Sequence, residues 1–162
     1  MRTFARSPYD HVGIFLVDPS KKVYLLEATG KAGVTAIDMH HFLQNDWHKL
    51  YKKLAYRKLI CEKDDEFYRT FIRFANTVLG RKYSLSIKKL MRSKTSHGSS
   101  EKQTNEGYFC SELVAAFFKA LKLLPENKAA SRYWPGSFAA RSKLKLINGA
   151  KLGPEMLVDF DL

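Results

Sequence analysis

Cysteine is scarce in this chain: the 162 residues contain two, Cys61 and Cys110. Two cysteines cannot build the disulfide framework of a small secreted domain, and nothing around them suggests that they pair. No run of about eighteen apolar residues occurs, which argues against a transmembrane helix. The N-terminal segment MRTFARSPYDHVG lacks the apolar stretch of a secretory signal. We therefore expect a reducing, cytoplasmic compartment.

Metal-binding patterns are also lacking. His40, His41 and His48 lie close together in the sequence, but no cysteine or carboxylate cluster completes a familiar ligand spacing. No internal repeat and no recognised nucleic-acid-binding motif occurs. The sequence therefore predicts neither a metal nor an organic cofactor, and it disfavours nucleic acid as a partner.

The composition is that of a folded, basic domain. Hydrophobic residues make up 45% of the chain and aromatic residues 13%, and the length suits one domain over 1–162 with its own core. Lys and Arg number 28 against 16 Asp and Glu, a net charge of +12. Such a charge favours an anionic partner such as lipid headgroups, nucleic acid or an acidic protein, although it also occurs for solubility alone.

The first third of the chain predicts an antiparallel sheet. Residues 11–17 are typical of a strand, residues 18–21 (DPSK) of a turn, and residues 23–28 of the returning strand. A third strand is predicted at 34–37. Asp38 is a suitable N-cap for a short helix through residue 45.

The middle of the chain predicts one clear helix beside an ambiguous segment. Residues 47–59 mix helical spacing with the alternation of a strand. A helix capped by Asp64 or Asp65 is predicted to run to about residue 79, and Gly80 ends it.

The last third predicts a polar loop and then a buried helix. Residues 93–106 contain no large apolar residue and are expected to form a mobile loop. Apolar periodicity resumes at Tyr108 and continues towards Pro125. An aromatic turn (133–138) and short strands at 144–147 and 156–160 are predicted to follow. The whole order predicts an α+β domain with a mainly antiparallel sheet.

Cys110 lies where the polar loop gives way to this helix, in the sequence GYFCSEL (107–113). The first turn of a helix offers a positive dipole end and free N–H groups, which favour a thiolate and can stabilise an oxyanion. With a nearby imidazolium, such surroundings can lower a thiol pKa from about 8.5 to between roughly 3.5 and 7.5. Glu112 is predicted in the same turn. The alternative is that Cys110 is a small apolar core residue.

A cysteine nucleophile needs a base, and His11 is the candidate that a strand would hold in place. His97 falls in the predicted loop, and the other three histidines fall in a region predicted to be exposed. Folding about the 18–21 turn brings Glu27 near His11, where a carboxylate could hold the second ring nitrogen. The alternatives are a structural histidine and an exposed strand glutamate.

Four motifs together resemble a known superfamily: YDHVGI (9–14), LLEA (25–28), LGRKY (79–83) and FCSELV (109–114). They are similar to the circularly permuted papain-like NlpC superfamily, closest to its YiiX-like proteins and more distantly to lecithin:retinol acyltransferase-type enzymes. The resemblance extends from Tyr9 to about Phe138. It implies a permuted papain-like fold, in which a sheet or half-barrel packs on a central helix that carries the cysteine at its N-terminus.

The resemblance also implies roles for single residues. Cys110 matches the nucleophile, His11 the general base, and Glu27 the polar third position. Tyr83 matches a tyrosine that helps to line the oxyanion pocket, although the Trp-Gly-Gly expected after it is absent. Tyr9 and Trp134 are expected at the substrate pocket, and simple packing is the alternative for Trp134.

The sequence therefore predicts a thiol hydrolase or acyltransferase that attacks an amide, ester or thioester. The NlpC resemblance implies peptide amides, and the acyltransferase relatives imply lipid acyl groups. The basic segment HKLYKKLAYRKL (48–59) tilts the expectation towards an anionic lipid surface. The alternative is a catalytically silent papain-like module that binds membrane or nucleic acid through its basic surface.

Overall fold

A three-stranded antiparallel sheet forms the N-terminal part of the structure, a computed structural model that describes residues 7–18, 20–80 and 107–160. Its strands are β1 (Ile14–Val17), β2 (Val23–Thr29) and β3 (Gly33–Asp38), in the order β1-β2-β3. The predicted hairpin and third strand are confirmed. The prediction that His11 opens the first strand is wrong, because the paired ladder begins at Ile14.

Helix α1 (Met39–Gln44) follows the sheet directly and begins at the predicted cap. The Asp38 side chain accepts a hydrogen bond of 2.7 Å from the His40 N–H. This bond satisfies one of the N–H groups that a helix start leaves without an intrahelical partner. Local chemistry therefore fixes where the chain leaves the sheet.

The ambiguous segment 47–59 contains both of the structures that its pattern predicted. Trp47–Leu50 is a single 3-10 turn, and two short strands follow, β4 (Ala55–Tyr56) and β5 (Leu59–Ile60). Both strands pair with the C-terminal part of the chain.

Helix α2 (Asp65–Val78) matches its prediction at both ends. Asp64 caps it by accepting a 2.8 Å hydrogen bond from the Phe67 N–H. Gly80 follows the helix with φ +73°, a left-handed conformation that glycine adopts without steric cost.

Helix α3 (Gly107–Ala120) is the centre of the core. It contacts β2, α2 and the 3-10 turns at 130–132 and 135–138. Four of the five apolar side chains predicted on its buried face are buried, Leu113, Val114, Phe117 and Phe118, whereas Leu121 lies just past the helix and is only partly buried. No helix of the described residues is both long and apolar enough to span a membrane.

The C-terminal part of the chain returns along β4 and β5 through two short strands. Strand β6 (Lys151–Leu152) pairs with β5, and strand β7 (Met156–Leu157) pairs with β4. The strand predicted at 144–147 is wrong. That stretch alternates in burial, but the chain turns away at Asn148 and Gly149, which have φ of +56° and +74°. The architecture is α+β with antiparallel strand pairs, as predicted.

Candidate active site

The candidate site begins with a histidine and a glutamate that meet beside the β1–β2 hairpin. His11 lies three residues before β1, and Glu27 lies on β2. His11 Nε2 is 2.6 Å from Glu27 Oε2, and the two side chains are 23% and 5% exposed. A contact this short between a carboxylate and an imidazole is a charge-assisted hydrogen bond when the ring is protonated.

Gly13 allows the chain ahead of β1 to lie close to β2. A Cβ atom at this position would lie 2.7 Å from the Leu25 Cδ1 and 3.0 Å from the Leu26 carbonyl oxygen. The Leu25 methyl group could rotate away, but the contact with the Leu26 carbonyl is tight and would push the two segments apart by a few tenths of an ångström. The glycine of the sequence YDHVGI therefore has a steric reason, since it keeps His11 within reach of Glu27.

Cys110 brings the third element of the site to the same imidazole. It is the fourth residue of α3, still in the first turn, and its side chain is fully buried. Its thiol hydrogen-bonds to the His11 ring.

These contacts favour the charged form of His11. Burial lowers the pKa of His11, but hydrogen bonds to Cys110 and Glu27 and the charges of the same two groups outweigh burial and raise it to about 10. An imidazole with an ordinary pKa near 6.5 is thus held as imidazolium around neutral pH. A protonated base beside a cysteine is the arrangement that favours a thiolate.

Tyr51 covers one face of the imidazole, and sequence reasoning missed it. The His11 and Tyr51 ring centroids are 6.0 Å apart with 24° between the planes, and Tyr51 stacks in turn on Phe42 at 6.5 Å and 22°. The pKa of Tyr51 is raised, first by burial and then by the charges of Glu27, Asp10 and Cys110. Its position within helical spacing predicted packing and gave no signal of this contact.

Tyr9, predicted at the substrate pocket, hydrogen-bonds to a residue that the sequence did not single out. Its hydroxyl donates to Glu155 Oε1 at 2.5 Å, while Glu155 Oε2 accepts from the Ala140 N–H at 2.9 Å. Burial and Glu155 raise the pKa of Tyr9 to about 12. The bond ties the segment before His11 to the C-terminal part of the chain.

A mostly apolar cavity of about 550 Å³ opens beside His11 and Glu27, and Cys110, buried behind them, is not among its lining residues. Its polar lining includes Tyr9, His11, Glu27 and Tyr51. The apolar lining comes from β1, β2, α1, α2 and α3 and includes Phe15, Leu25, Phe42, Phe67, Phe71 and Phe117. The volume is within the range of small-molecule sites, whose lining is likewise mostly apolar with a few polar groups.

Of the other residues predicted near the site, Trp134 and Glu112 lie in the described part of the chain and Tyr83 does not. Trp134 is 52% exposed and is absent from the lining, although its neighbours Pro135 and Phe138 belong to it. Tyr83 and the loop 93–106 lie outside the described residues. Glu112 is buried in the second turn of α3, so the prediction of a first-turn acid is wrong. The helix begins at Gly107, earlier than its apolar periodicity suggested.

Metal binding has no evident place in this arrangement. Across residues 7–18, 20–80 and 107–160, no group of three or more His, Cys, Asp or Glu side chains is placed to hold a metal ion. A thiol, an imidazole and a carboxylate in contact are the side chains that covalent acyl transfer to sulfur uses.

Comparison with known proteins gave one match. Residues 1–131 match the family described as permuted papain-like amidase enzyme, YaeF/YiiX, C92 family. Searches of curated proteins and of solved structures returned no significant match. The matched segment contains His11, Glu27 and Cys110 and most of the described fold, which has the α+β character predicted from the resemblance. The chain therefore belongs to the permuted papain-like amidases of the YaeF/YiiX family.

Proposed function

We propose that the protein cleaves an amide through an acyl-enzyme, with Cys110 as nucleophile, His11 as general base and Glu27 as the group that orients the imidazole. The arrangement around His11 carries the proposal: Nε2 lies 2.6 Å from Glu27 Oε2, and Cys110 is the ring's other hydrogen-bond partner. A nucleophile, a base and an orienting carboxylate in contact in this order are what covalent acyl transfer needs.

Acylation starts from the thiolate of Cys110 and the imidazolium of His11. The sulfur attacks the carbonyl carbon of the amide and forms a tetrahedral intermediate with a negatively charged oxygen. His11 then donates its proton to the amide nitrogen, the C–N bond breaks, and the amine leaves. The product on the enzyme is a thioester between the acyl group and Cys110, and His11 is neutral.

Deacylation reverses the proton transfers with a different nucleophile. Neutral His11 takes a proton from a water molecule, whose oxygen attacks the thioester carbonyl. The C–S bond breaks, the acid is released, and the thiolate–imidazolium pair is restored. An amine in place of water would give acyl transfer by the same route, so the acceptor decides between hydrolase and acyltransferase.

The negatively charged oxygen of the tetrahedral intermediate needs hydrogen-bond donors. The N-terminal end of α3, where Cys110 lies, is proposed to stabilise this charge through the helix dipole. Tyr83 is proposed as a hydrogen-bond donor on the strength of its motif. Removing one oxyanion donor from a comparable site typically costs about 10²- to 10³-fold in kcat.

The acyl half of the substrate is the part that the cavity can select. The cavity that His11 and Glu27 line is mostly apolar: aromatic and aliphatic side chains make up most of its wall, although Asp10, Lys53, Arg57, Lys58, Lys63 and Glu155 also belong to the lining. Burying each CH₂ group of a chain there contributes about 0.8 kcal/mol. The cavity therefore favours an amide of an aliphatic acyl group over a polar peptide amide.

Trapping the acyl-enzyme tests the proposal directly. The full chain is incubated with two probe series, anilides of aliphatic acids of increasing length and γ-glutamyl anilides, and intact mass is followed. We expect an acyl adduct on Cys110 with the aliphatic series, and no adduct in Cys110→Ala. Cys61→Ala is the matched control and should acylate normally.

Two results would contradict the proposal. An adduct that maps to Cys61 would assign the chemistry to the wrong thiol. Neither adduct nor product with either series, in a protein whose His11 imidazole still titrates near pH 10 by NMR, would favour the silent binding module. The NMR titration needs no path for a reagent, which is useful because Cys110 is fully buried.

A further inference from the structure

Two antiparallel segments form an exposed ribbon beside the cavity. We define the basic ribbon as residues 48–58 and 156–160. Strands β4 and β7 pair at its centre, and the Val158 N–H donates to the Leu54 carbonyl at 3.0 Å. The ribbon therefore joins the sequence segment rich in lysine to the C-terminal part of the chain as one surface.

The basic ribbon exposes several large apolar side chains to solvent. Leu50 is 77% exposed and Leu157 is 66% exposed, and these are the two most exposed large apolar side chains of the described residues. Met156 is 47% exposed and Tyr56 is 45% exposed. Met156 and Tyr56 pair across the ladder and lie on the face opposite Leu157, so the candidate contact surface is the one that Leu157 shares with the neighbouring lysines.

The same ribbon is rich in positive charge. Its two segments contain five Lys and Arg residues and one acid, Asp159. Arg57 is occupied inside the fold, where it donates to three backbone carbonyls. Lys49, Lys52 and Lys53 are exposed, and they line a depression of about 310 Å³ together with Leu157.

We propose that the basic ribbon docks on an anionic membrane surface, with Leu50 and Leu157 in the headgroup layer and the lysines against lipid phosphates. Apolar side chains interleaved with lysine satisfy both parts of such an interface. A nucleic-acid backbone would satisfy the lysines but would leave exposed leucines in water. The combination of exposed leucines and lysines therefore favours a lipid surface over nucleic acid as the partner of the ribbon.

The position of the ribbon relates docking to the cavity. Lys53, Leu54 and Val158 belong to the ribbon and also line the cavity that His11 reaches. Docking would thus hold one wall of the cavity at the lipid surface, where amphiphilic molecules are concentrated. The inference concerns binding and does not require the proposed hydrolysis, so Cys110→Ala protein can be used to test it.

Vesicle sedimentation tests the docking. Cys110→Ala protein is mixed with phosphatidylcholine vesicles or with vesicles that also contain phosphatidylserine, and the bound fraction is measured. We expect binding to the anionic vesicles only. Lys49→Gln with Lys52→Gln should weaken it about 25-fold, since each lysine near an anionic surface contributes about fivefold. Leu50→Ser should weaken it roughly tenfold through lost apolar burial.

Matched controls lie outside the ribbon. Lys143→Gln with Lys145→Gln removes the same charge, and Ile72→Ser removes a side chain that is 55% exposed on α2. Both should bind normally. Circular dichroism checks folding, and Leu157→Ser replaces Leu50→Ser if that variant unfolds.

Three results would overturn the docking proposal. Equal binding to neutral vesicles would remove the role of charge. Equal losses of vesicle binding in the ribbon and control lysine variants would show that binding depends on net charge alone and not on the ribbon. Tighter binding to random-sequence duplex DNA, unaffected by Leu50→Ser, would assign the ribbon to nucleic acid.

Discussion

The two cysteines of this chain lie in regions that differ in their charged partners. Cys110 is fully buried at the start of α3 and hydrogen-bonds to an imidazole whose pKa is raised to about 10. Cys61 is half-buried after β5 and packs against the core. Burial raises the pKa of the Cys61 thiol above its ordinary value, and Lys63 offsets part of that rise.

Under the proposal that Cys110 is the nucleophile, burial alone ranks these two thiols in the wrong order of reactivity. Desolvation disfavours a thiolate, so the fully buried Cys110 would be the less reactive of the two if burial decided the matter. The imidazolium of His11 beside it supplies the opposite charge, and Glu27 holds that ring. Geometry around the sulfur, more than exposure, separates a candidate nucleophile from a packing residue.

The strongest way to break this comparison is to remove each sulfur in turn. Cys110→Ala should reduce turnover of an aliphatic acyl anilide by about 10⁴- to 10⁶-fold, because the remaining thiol, Cys61, does not lie beside the His11 imidazole. Cys61→Ala should stay within about twofold, since it removes only a small packing contact. Steady-state kinetics on both variants measures the ratio. Similar losses in the two would mean that the comparison is mistaken.

Glu27→Gln sharpens the comparison between the two cysteines. It leaves the Cys110 sulfur in place and removes the negative charge that holds the His11 imidazole beside it. We expect kcat to fall about 10²- to 10⁴-fold, as when the orienting acid of a triad is neutralised. The pKa of His11 should fall below 10, because one of the groups that raise it has lost its charge. Kinetics and the imidazole NMR titration measure the two effects.

The matched control for Glu27→Gln is Glu126→Gln, which neutralises an acid with an 85% exposed side chain. Kinetics and the His11 titration should both stay at wild-type values in this variant. A Glu27→Gln protein with a normal His11 titration but low kcat would contradict the proposed orienting role, since the carboxylate would then act in another way.

The raised pKa of His11 also makes the stability of the protein depend on pH. The folded pKa of about 10 exceeds the ordinary value of 6.5, so the folded state binds the proton more tightly than the unfolded state. This contribution is fully present below about pH 6.5 and is lost as pH rises towards 10. It should amount to a few kcal/mol.

Urea unfolding of wild type and His11→Gln from pH 6 to 10 measures that contribution. The wild type should lose more of its free energy of unfolding than the variant over this interval. His40→Gln, which changes an exposed histidine, should follow the wild-type curve. Parallel curves for wild type and His11→Gln would show that His11 is not stabilised as a cation.

The predictions from sequence succeeded where one stretch of chain carries the whole cause. Asp38 and Asp64 cap helices through hydrogen bonds to N–H groups two and three residues away. The 18–21 turn fixes the β1–β2 pairing in the same way, so Glu27 could be expected near His11. These elements depend on local chemistry, which a single sequence displays.

The predictions failed where partners lie far apart in the chain. Strand β6 was not predicted, and β7 covers only the first two residues of the strand predicted at 156–160; both exist because they pair with β5 and β4, about a hundred residues earlier. The bond from Tyr9 to Glu155 spans 146 residues. Neither segment carries a periodicity that could reveal these contacts. The stabilising contacts come from the distant segment with which it pairs and not from the segment itself.

Tyr51 offers the finest test of what distinguishes the surroundings of Cys110. Its ring stacks on His11, where an aromatic face stabilises a cation by about 0.5–2 kcal/mol. Tyr51→Leu should therefore lower the His11 pKa by up to about one unit and kcat by up to roughly tenfold, with a smaller change in KM. Tyr51→Phe keeps the aromatic ring and should restore both the His11 pKa and kcat. If Tyr51→Leu lowers kcat but leaves the His11 titration unchanged, then Tyr51 only packs against the imidazole and does not stabilise its charge.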